Sequence, residues 1–461
     1  MDALTFARWQ FGITTVYHFL FVPLTIGLAF LVAVMQTLWV RTRERDYLRM
    51  TRLFGKLFLV NFAMGVATGI VQEFQFGMNW SSYSRYVGDV FGAPLAIEGL
   101  LAFFMESTFL GLWIFGWGRL PEKLHLATIW LVALGTNLSA IFILAANSWM
   151  QHPVGYHVNL ATGRAEMTDF LALLGNPTLL VTYPHTALAS LLTGSLFVMA
   201  VSAWYLLRGR ETELFRRAST IGLVFALVGS LGVVLSGHAQ AQVMTQQQPM
   251  KMAAAEALYQ TQKDAPFSLF AIGTPDGSRL LLDVTVPHAL SVLATNTWDG
   301  EVKGIDDVQA EETAAYGPGS YTPVIPVTYW SFRLMVLAGF LLAALAVWGL
   351  VLARLGRLAG SRWFNRLAIP AVALPFLASS LGWIFTEMGR QPWVVYGLLR
   401  TAAGVSPSVG ALMVVATLAG FTLLYGVLAV LDGWLMLRVA RTGLQEELPE
   451  GDAEPLPSLS Y

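Results

Sequence analysis

No cysteine occurs anywhere in the 461 residues. That excludes thiolate-held iron–sulfur clusters, disulfides and the Cys-x-x-Cys-His attachment of a covalent haem. Any metal cofactor must be held by His, Met or a carboxylate. Charge is scarce as well. Asp, Glu, Lys and Arg make up 12% of the chain, where soluble domains carry roughly 25%. A soluble globular protein is thereby excluded. The net charge of −1 gives no argument for nucleic acid, and no nucleic-acid partner is expected. Internal repeats are not visible.

Apolar length is what the chain has in quantity. Hydrophobic residues are 55% of the total, and mean hydropathy is +0.58. Runs long enough to cross hydrocarbon recur near 11–40, 54–78, 93–117, 125–149, 178–207, 217–238, 328–353, 367–388 and 409–437. The first is too long for a signal-peptide core and lacks a small-residue cleavage pattern, so it reads as a retained span. The expected fold is an all-α integral membrane protein of nine transmembrane helices, embedded in a lipid bilayer.

Basic residues follow alternate spans. Arg41, Arg43, Arg45, Arg49, Arg52 and Lys56 come after the first, and others at 119 and 123, 208–217 and 354–366 after the third, fifth and seventh. The remaining short connections carry only Arg85, Arg164, Arg390 and Arg400. The positive-inside rule then puts the N-terminus outside and the C-terminus in the cytoplasm. The expected organisation is spans one to six in 1–238, a polar extracytoplasmic loop in 239–327, spans seven to nine in 328–440 and a cytoplasmic tail in 441–461. A polar segment of nearly ninety residues exceeds an ordinary connection and is expected to be functional. The acidic, Pro-rich tail from Gln445 is expected to be disordered.

Charge in hydrocarbon costs at least ~2.5–3.5 kcal/mol, so intramembrane acids are functional candidates. Glu387 stands near the end of span eight, with Arg390 three residues on and Trp383 and Trp393 on either side. That combination suggests an acidic bound group with a large flat body, which points to haem. A lone membrane His is as often a helix–helix hydrogen-bonder as a ligand. With the orientation above, however, His18, Glu98, His185, Met335 and Glu387 fall within about two turns of an outer span end, which predicts one layer of sites.

A His and a Met from different helices can fill both axial positions of a low-spin haem. Met335 taken alone, among 16 methionines, reads as core filler. Arg333 could pair a propionate or act as an interfacial anchor. On a regular helix Glu98 and Glu106 would lie about 12 Å apart along the axis and roughly 80° apart around it. One suits a cofactor and the other a proton path. Asn137 and Ser139 in span four could extend that path or bond neighbouring helices.

Six segments carry a resemblance: YHFLFVPLT at 17–25, EFQFGMNW at 73–80, EGLLAFFMES at 98–107, YPHT at 183–186, QPMKMAAAE at 248–256 and GWIFTEMGRQPW at 382–393. Over essentially its whole length the chain resembles the haem-bearing subunit I of cytochrome bd-type quinol oxidases, of the short-loop type. The resemblance implies that His185 and Met335 hold a low-spin haem b. It implies that His18 and Glu387 ligate the two haems of the oxygen site, a high-spin haem b and a haem d in either order, with Glu98 beside them. Trp383 would lie between cofactors, Glu106 and Ser139 on the proton path, and Arg333 and Arg390 against the cofactors. Lys251 and Glu256 match the quinol-site pair. Five residues on a continuous helix separate side chains by about 140°, so both cannot face one ring. Either the helix breaks there, or only one residue touches quinol, or both form a solvated charge pair.

The implied reaction is electrogenic oxidation of ubiquinol or menaquinol outside, with reduction of dioxygen to water and protons drawn from the cytoplasm without a pump. The implied partners are a homologous subunit II and a small single-span subunit, in a bacterial cytoplasmic membrane. Two other readings remain. A proton-coupled transporter predicts inverted repeats and broken helices, neither visible in the sequence. A non-catalytic haem-bearing sensor predicts haem without oxygen uptake.

Overall fold

The computed structural model describes residues 2–442 and 444. The tail from Gln445, expected to be disordered, lies outside the described residues. Among them, nine helices are long and apolar enough to cross a membrane. They run Ala3–Thr42, Arg45–Met78, Ser81–Phe115, Glu122–Gln151, Pro177–Leu206, Thr212–Gln247, Ile325–Arg354, Arg362–Gly389 and Ala411–Thr442, spans one to nine.

Local chemistry sets the ends. Asp2 caps span one by accepting from the Thr5 amide at 2.9 Å, and Asn176 caps span five, with Pro177 in its first turn. Span six continues to Gln247 rather than stopping near 238. The Ala/Gln-rich stretch after 238 keeps helix propensity after hydropathy has fallen. Span seven begins at Ile325, so the long connection is 248–324, shorter than the expected 239–327.

The spans alternate in direction. At one face Gln248 donates to the Gln151 carbonyl (2.7 Å) and Ser406 to the Met78 carbonyl (2.8 Å). At the opposite face Tyr205 donates to the Ala440 carbonyl (2.6 Å) and Arg49 grips Glu211 through two bonds (2.8 and 2.9 Å). The first face carries the 248–324 connection and is here termed the loop face.

In lipid, small residues let helices approach closely. A Cβ on Gly27 of span one would lie 2.1 Å from the Ser190 carbonyl of span five. One on Gly194 would lie 2.6 Å from the Gly27 carbonyl carbon. These two glycines fix the central crossing. Of each span's most apolar stretch, 67% is buried in span one but only 11% in span nine, so span nine offers its apolar surface to lipid or a partner.

Two spans are irregular where the sequence predicted unbroken helices. Span three is π-helical over Glu98–Phe103. Span eight is interrupted at Val372, next to Pro370, whose ring removes a helical hydrogen bond. In the loop-face connection, the helix Pro249–Glu256 is followed by an antiparallel hairpin of Phe267–Gly273 with Leu280–Val286. Helices Ala289–Thr295 and Ile305–Tyr316 complete it.

Candidate functional site

A cavity of about 900 Å³ opens between spans five, six, seven and eight and the 248–324 connection. That is the size range of cofactor sites. Its wall includes His185, Met335, Arg333, Trp383 and Lys251. His18 and Glu387 do not line it; Phe19 and Thr386, their neighbours in sequence, and Asn147, which donates to Glu387, do. Trp383 meets Phe19 edge to face at 5.2 Å, and both rings line the cavity.

Two hydroxyls orient the two membrane histidines. His185 Nδ1 lies 3.1 Å from Ser236 Oγ, and Ser236 donates its own proton to the Gly232 carbonyl at 2.7 Å. His18 Nδ1 lies 2.9 Å from Thr68 Oγ1, which donates to the Met64 carbonyl at 2.9 Å. A hydroxyl whose proton is committed elsewhere can only accept, so each imidazole donates from Nδ1 and presents a bare Nε2 lone pair, as a metal-binding His requires. Glycines keep space beside these groups. A Cβ on Gly382 would lie 3.1 Å from Met335 Sδ, and one on Gly69 would lie 3.2 Å from His18 Cε1. His125, by contrast, is spent on Gln36 and the Trp113 carbonyl, as a helix-joining His.

Span four acts as a ruler for the acids. Asn147 donates to Glu387 at 3.2 Å, Ser139 donates to Glu98 at 2.6 Å, and Gly135 abuts Glu106. Eight residues from Asn147 to Ser139 are about 12 Å, and four more to Gly135 about 6 Å. Glu98 therefore lies below Glu387, which corrects the expectation that these two share one layer, and Glu106 lies lower still, at a different depth from Glu98 as expected. The helices extend beyond their apolar runs, so a run's edge does not mark depth.

The expected 80° between Glu98 and Glu106 is corrected too. The π-helical turn contains one residue more than an α-turn and takes back about 100°, leaving the two acids about 20° apart. Both face span four, at positions four residues apart. Ser139 bonds Glu98, one step along span four from Glu106. Asn137 donates to the Ala133 carbonyl and accepts from Tyr183 of span five (3.2 Å), the helix-bonding role. Glu106 is buried, and its Oε1 has no hydrogen-bond partner.

Lys251 and Glu256 are both buried, which removes the solvated-pair reading. Their helix is continuous, and they point to different neighbours, as its geometry demands. Lys251 Nζ donates to Gln151 Oε1 at 2.9 Å. Burial, helped by Arg390 nearby, lowers its pKa to about 7. Glu256 pairs with Arg333 at 2.5 Å and accepts from the Ser268 amide at 3.2 Å. Its burial raises its pKa against the pull of Arg333. Arg333 is thus committed to Glu256, yet its Nε and Nη1 remain buried without partners. Arg390 pairs with Glu387 and lines a second, smaller cavity rather than the large one.

The match to known proteins is extensive. Residues 6–444 fit the family model described as cytochrome bd terminal oxidase subunit I. The chain belongs to that family. It is 49% identical to cytochrome bd ubiquinol oxidase subunit 1 of Bacillus subtilis (strain 168), over 97% of this chain and 95% of that one. It is 41% identical to cytochrome bd-II ubiquinol oxidase subunit 1 of Escherichia coli (strain K12), over 97% and 99%. The bd oxidase structure from Geobacillus thermodenitrificans superposes with a TM-score of 0.86 at 28% identity, covering 95% of this chain and 98% of that one. This cytochrome bd subunit is therefore a multi-pass membrane protein and part of a quinol oxidase, which removes the transporter and non-catalytic sensor readings.

A cytochrome carries haem, and the residues present fit that group. Among the described residues no three His, Asp or Glu side chains gather as they would around a bare metal ion. The candidate ligands instead come singly from separate spans, as a macrocycle that supplies four of iron's ligands permits. The unpartnered donors of Arg333 on the cavity wall suit propionates. Sequence reasoning missed Thr68, Ser236, Asn147 and Gln151, because Ser, Thr, Asn and Gln carry no signal until a neighbour is known. It also did not single out Glu312, which is buried on the wall of the smaller cavity beside Arg390. There a signal existed: Ile305, Val308 and Glu312 share one buried stripe of the helix Ile305–Tyr316.

Proposed function

We propose that this subunit oxidises quinol at the loop face of a bacterial cytoplasmic membrane and reduces dioxygen to water. The single observation that carries the residue assignment is the cavity that unites His185, Met335 and Arg333 with Lys251. In this reading His185 and Met335 hold a low-spin haem b. His18 and Glu387 hold the two haems of the oxygen site, a high-spin haem b and a haem d in either order, with Glu98 beside them and Trp383 between the two groups. When bound, the haems supply the one-electron acceptors for quinol and the iron that reduces dioxygen.

The chain's own residues handle protons and position. Lys251 has an uncharged fraction at neutral pH and is placed to accept a proton from a quinol hydroxyl. Glu256 holds Arg333 in place on the cavity wall. Glu106 and Glu98, in file along span four, pass protons toward the oxygen site. The Arg-rich ends opposite the loop face support a cytoplasmic location for that side. Protons released outside and taken up inside then give a proton motive force without a pump. Ubiquinol or menaquinol is the donor. Subunit II and a small single-span subunit are the partners, and weakly buried span nine is a surface available to them.

The test is a reduced-minus-oxidised spectrum with extracted-haem analysis, alongside quinol-driven oxygen uptake. Three haems of b and d type are expected; a preparation with b haems alone would remove haem d from this reading. The loop supplies a second test. Met250–Glu256 is buried and closed to protease, whereas Lys263 and Asp264 are exposed. Cutting there should abolish quinol-driven oxygen uptake and leave the haem spectrum intact. Full quinol turnover in completely cut enzyme would place the donor site elsewhere.

A further inference from the structure

The second cavity lies between the large one and the outer helix Ile305–Tyr316. At about 10 Å³ it is the size of a single water. Its wall includes Lys251, Gln248, Arg390, Glu312 and Tyr396. Gln248 Oε1 and Arg390 Nε and Nη1 are buried there without hydrogen-bond partners. A bound water needs two to four polar partners, and an acceptor and donors of this kind are present. Glu312 is itself buried. Its Oε1 accepts from Tyr396 at 3.1 Å and its Oε2 from Trp393 Nε1 at 3.4 Å, which aims the carboxylate into the cavity.

We propose that Glu312 is the proton acceptor for quinol oxidation, taking protons from Lys251 through one water in this cavity and passing them out at the loop face. This rests on the reading that Lys251 meets quinol. Oxidation of one quinol to quinone breaks two O–H bonds and releases two electrons and two protons. The electrons follow the established oxidase route. Each proton goes to Lys251, then through the water to the Glu312 carboxylate. From there it reaches solvent across the helix Ile305–Tyr316, whose other side is exposed where Glu311 pairs with Lys303.

Burial raises the pKa of Glu312 above the ordinary carboxylate value, closer to the working range of a relay. The ionisable groups around it are Glu311 and Tyr316 on its own helix, Tyr321, Tyr396, and Lys251 and Arg390 across the cavity. Arg400 lies over the Tyr321 and Trp393 rings, 4.9 and 5.7 Å from their centroids. The deprotonated form accepts, so quinol oxidation should fall as pH drops through the raised Glu312 pKa.

The test uses the holoenzyme with Glu312→Gln, Glu312→Asp and Lys251→Gln. Gln keeps the acceptor for Tyr396 and the side-chain shape but cannot take up a proton. Glu312→Gln should lower kcat for quinol by about tenfold or more, leave KM within about twofold, and flatten the acid limb of the pH profile. Glu312→Asp should restore that limb. Oxygen uptake driven by ascorbate with a small mediator, which bypasses quinol, should match wild type, as should the haem spectrum. Wild-type quinol kcat in Glu312→Gln, beside a defective Lys251→Gln, overturns the relay alone. Wild-type quinol turnover in Lys251→Gln overturns the quinol-site reading beneath it. An equal loss on both donor routes in Glu312→Gln makes Glu312 a structural residue and also overturns the relay.

Discussion

Met335→Leu should remove the low-spin haem signal from an otherwise assembled oxidase. Met335 lies on the cavity wall with His185, and Gly382 leaves its sulfur unobstructed. Leu and Met are close in volume, so repacking should cost less than about 1.5 kcal/mol and the subunit should still fold. The thioether is a soft donor to iron, whereas Leu offers no lone pair. His185, held by Ser236 with Nε2 free, would then be the single protein ligand, and the spectrum should turn high-spin. Met ligation also raises reduction potential, so the potential of that centre should drop and quinol-driven uptake should slow. The signals assigned to His18 and Glu387 should persist. An unchanged low-spin spectrum would mean that another side chain provides the sixth ligand.

Glu106→Gln should lower oxygen uptake by roughly 10²-fold, the scale of a lost proton-transfer group. The substitution keeps volume where Gly135 leaves no slack: a Cβ there would lie 2.6 Å from Glu106 Cγ. It also keeps a carbonyl acceptor, so packing and haem content should hold. What is lost is the ability to take up and release a proton, at a buried site where Oε1 has no competing partner. Both quinol and artificial donors should be slowed, because the step lies on the oxygen side. That separates Glu106 from Glu312, whose loss should affect quinol alone. Wild-type uptake in Glu106→Gln would reduce Glu106 to a packing acid.

The nine spans were legible because hydrocarbon imposes a minimum length that composition must meet. The candidate ligands were legible because a His or Glu in a span is costly enough to mark itself. Depth and direction were not. Span one begins at Ala3 and span six ends at Gln247, beyond their apolar runs. The turn that brings Glu98 and Glu106 to one face is a π-helical segment that no periodicity announces. Lys251 and Glu256 were correctly kept off one common face by helix geometry alone. Their burial depended on the covering loop, which no local pattern reports.

Sequence alone determined the class, the spans and the inventory of donors, because membrane solvation and helix periodicity act residue by residue along the chain. Tertiary structure decided which donors meet. It joined His185 to Met335 across one cavity, gave Arg333 to Glu256 and Ser139 to Glu98, and brought Glu312 to within one small cavity of Lys251. Such pairings join residues distant in the chain, and they are set by close helix crossings such as Gly27 on Gly194. Contact of that kind follows from three-dimensional packing, which local sequence does not encode.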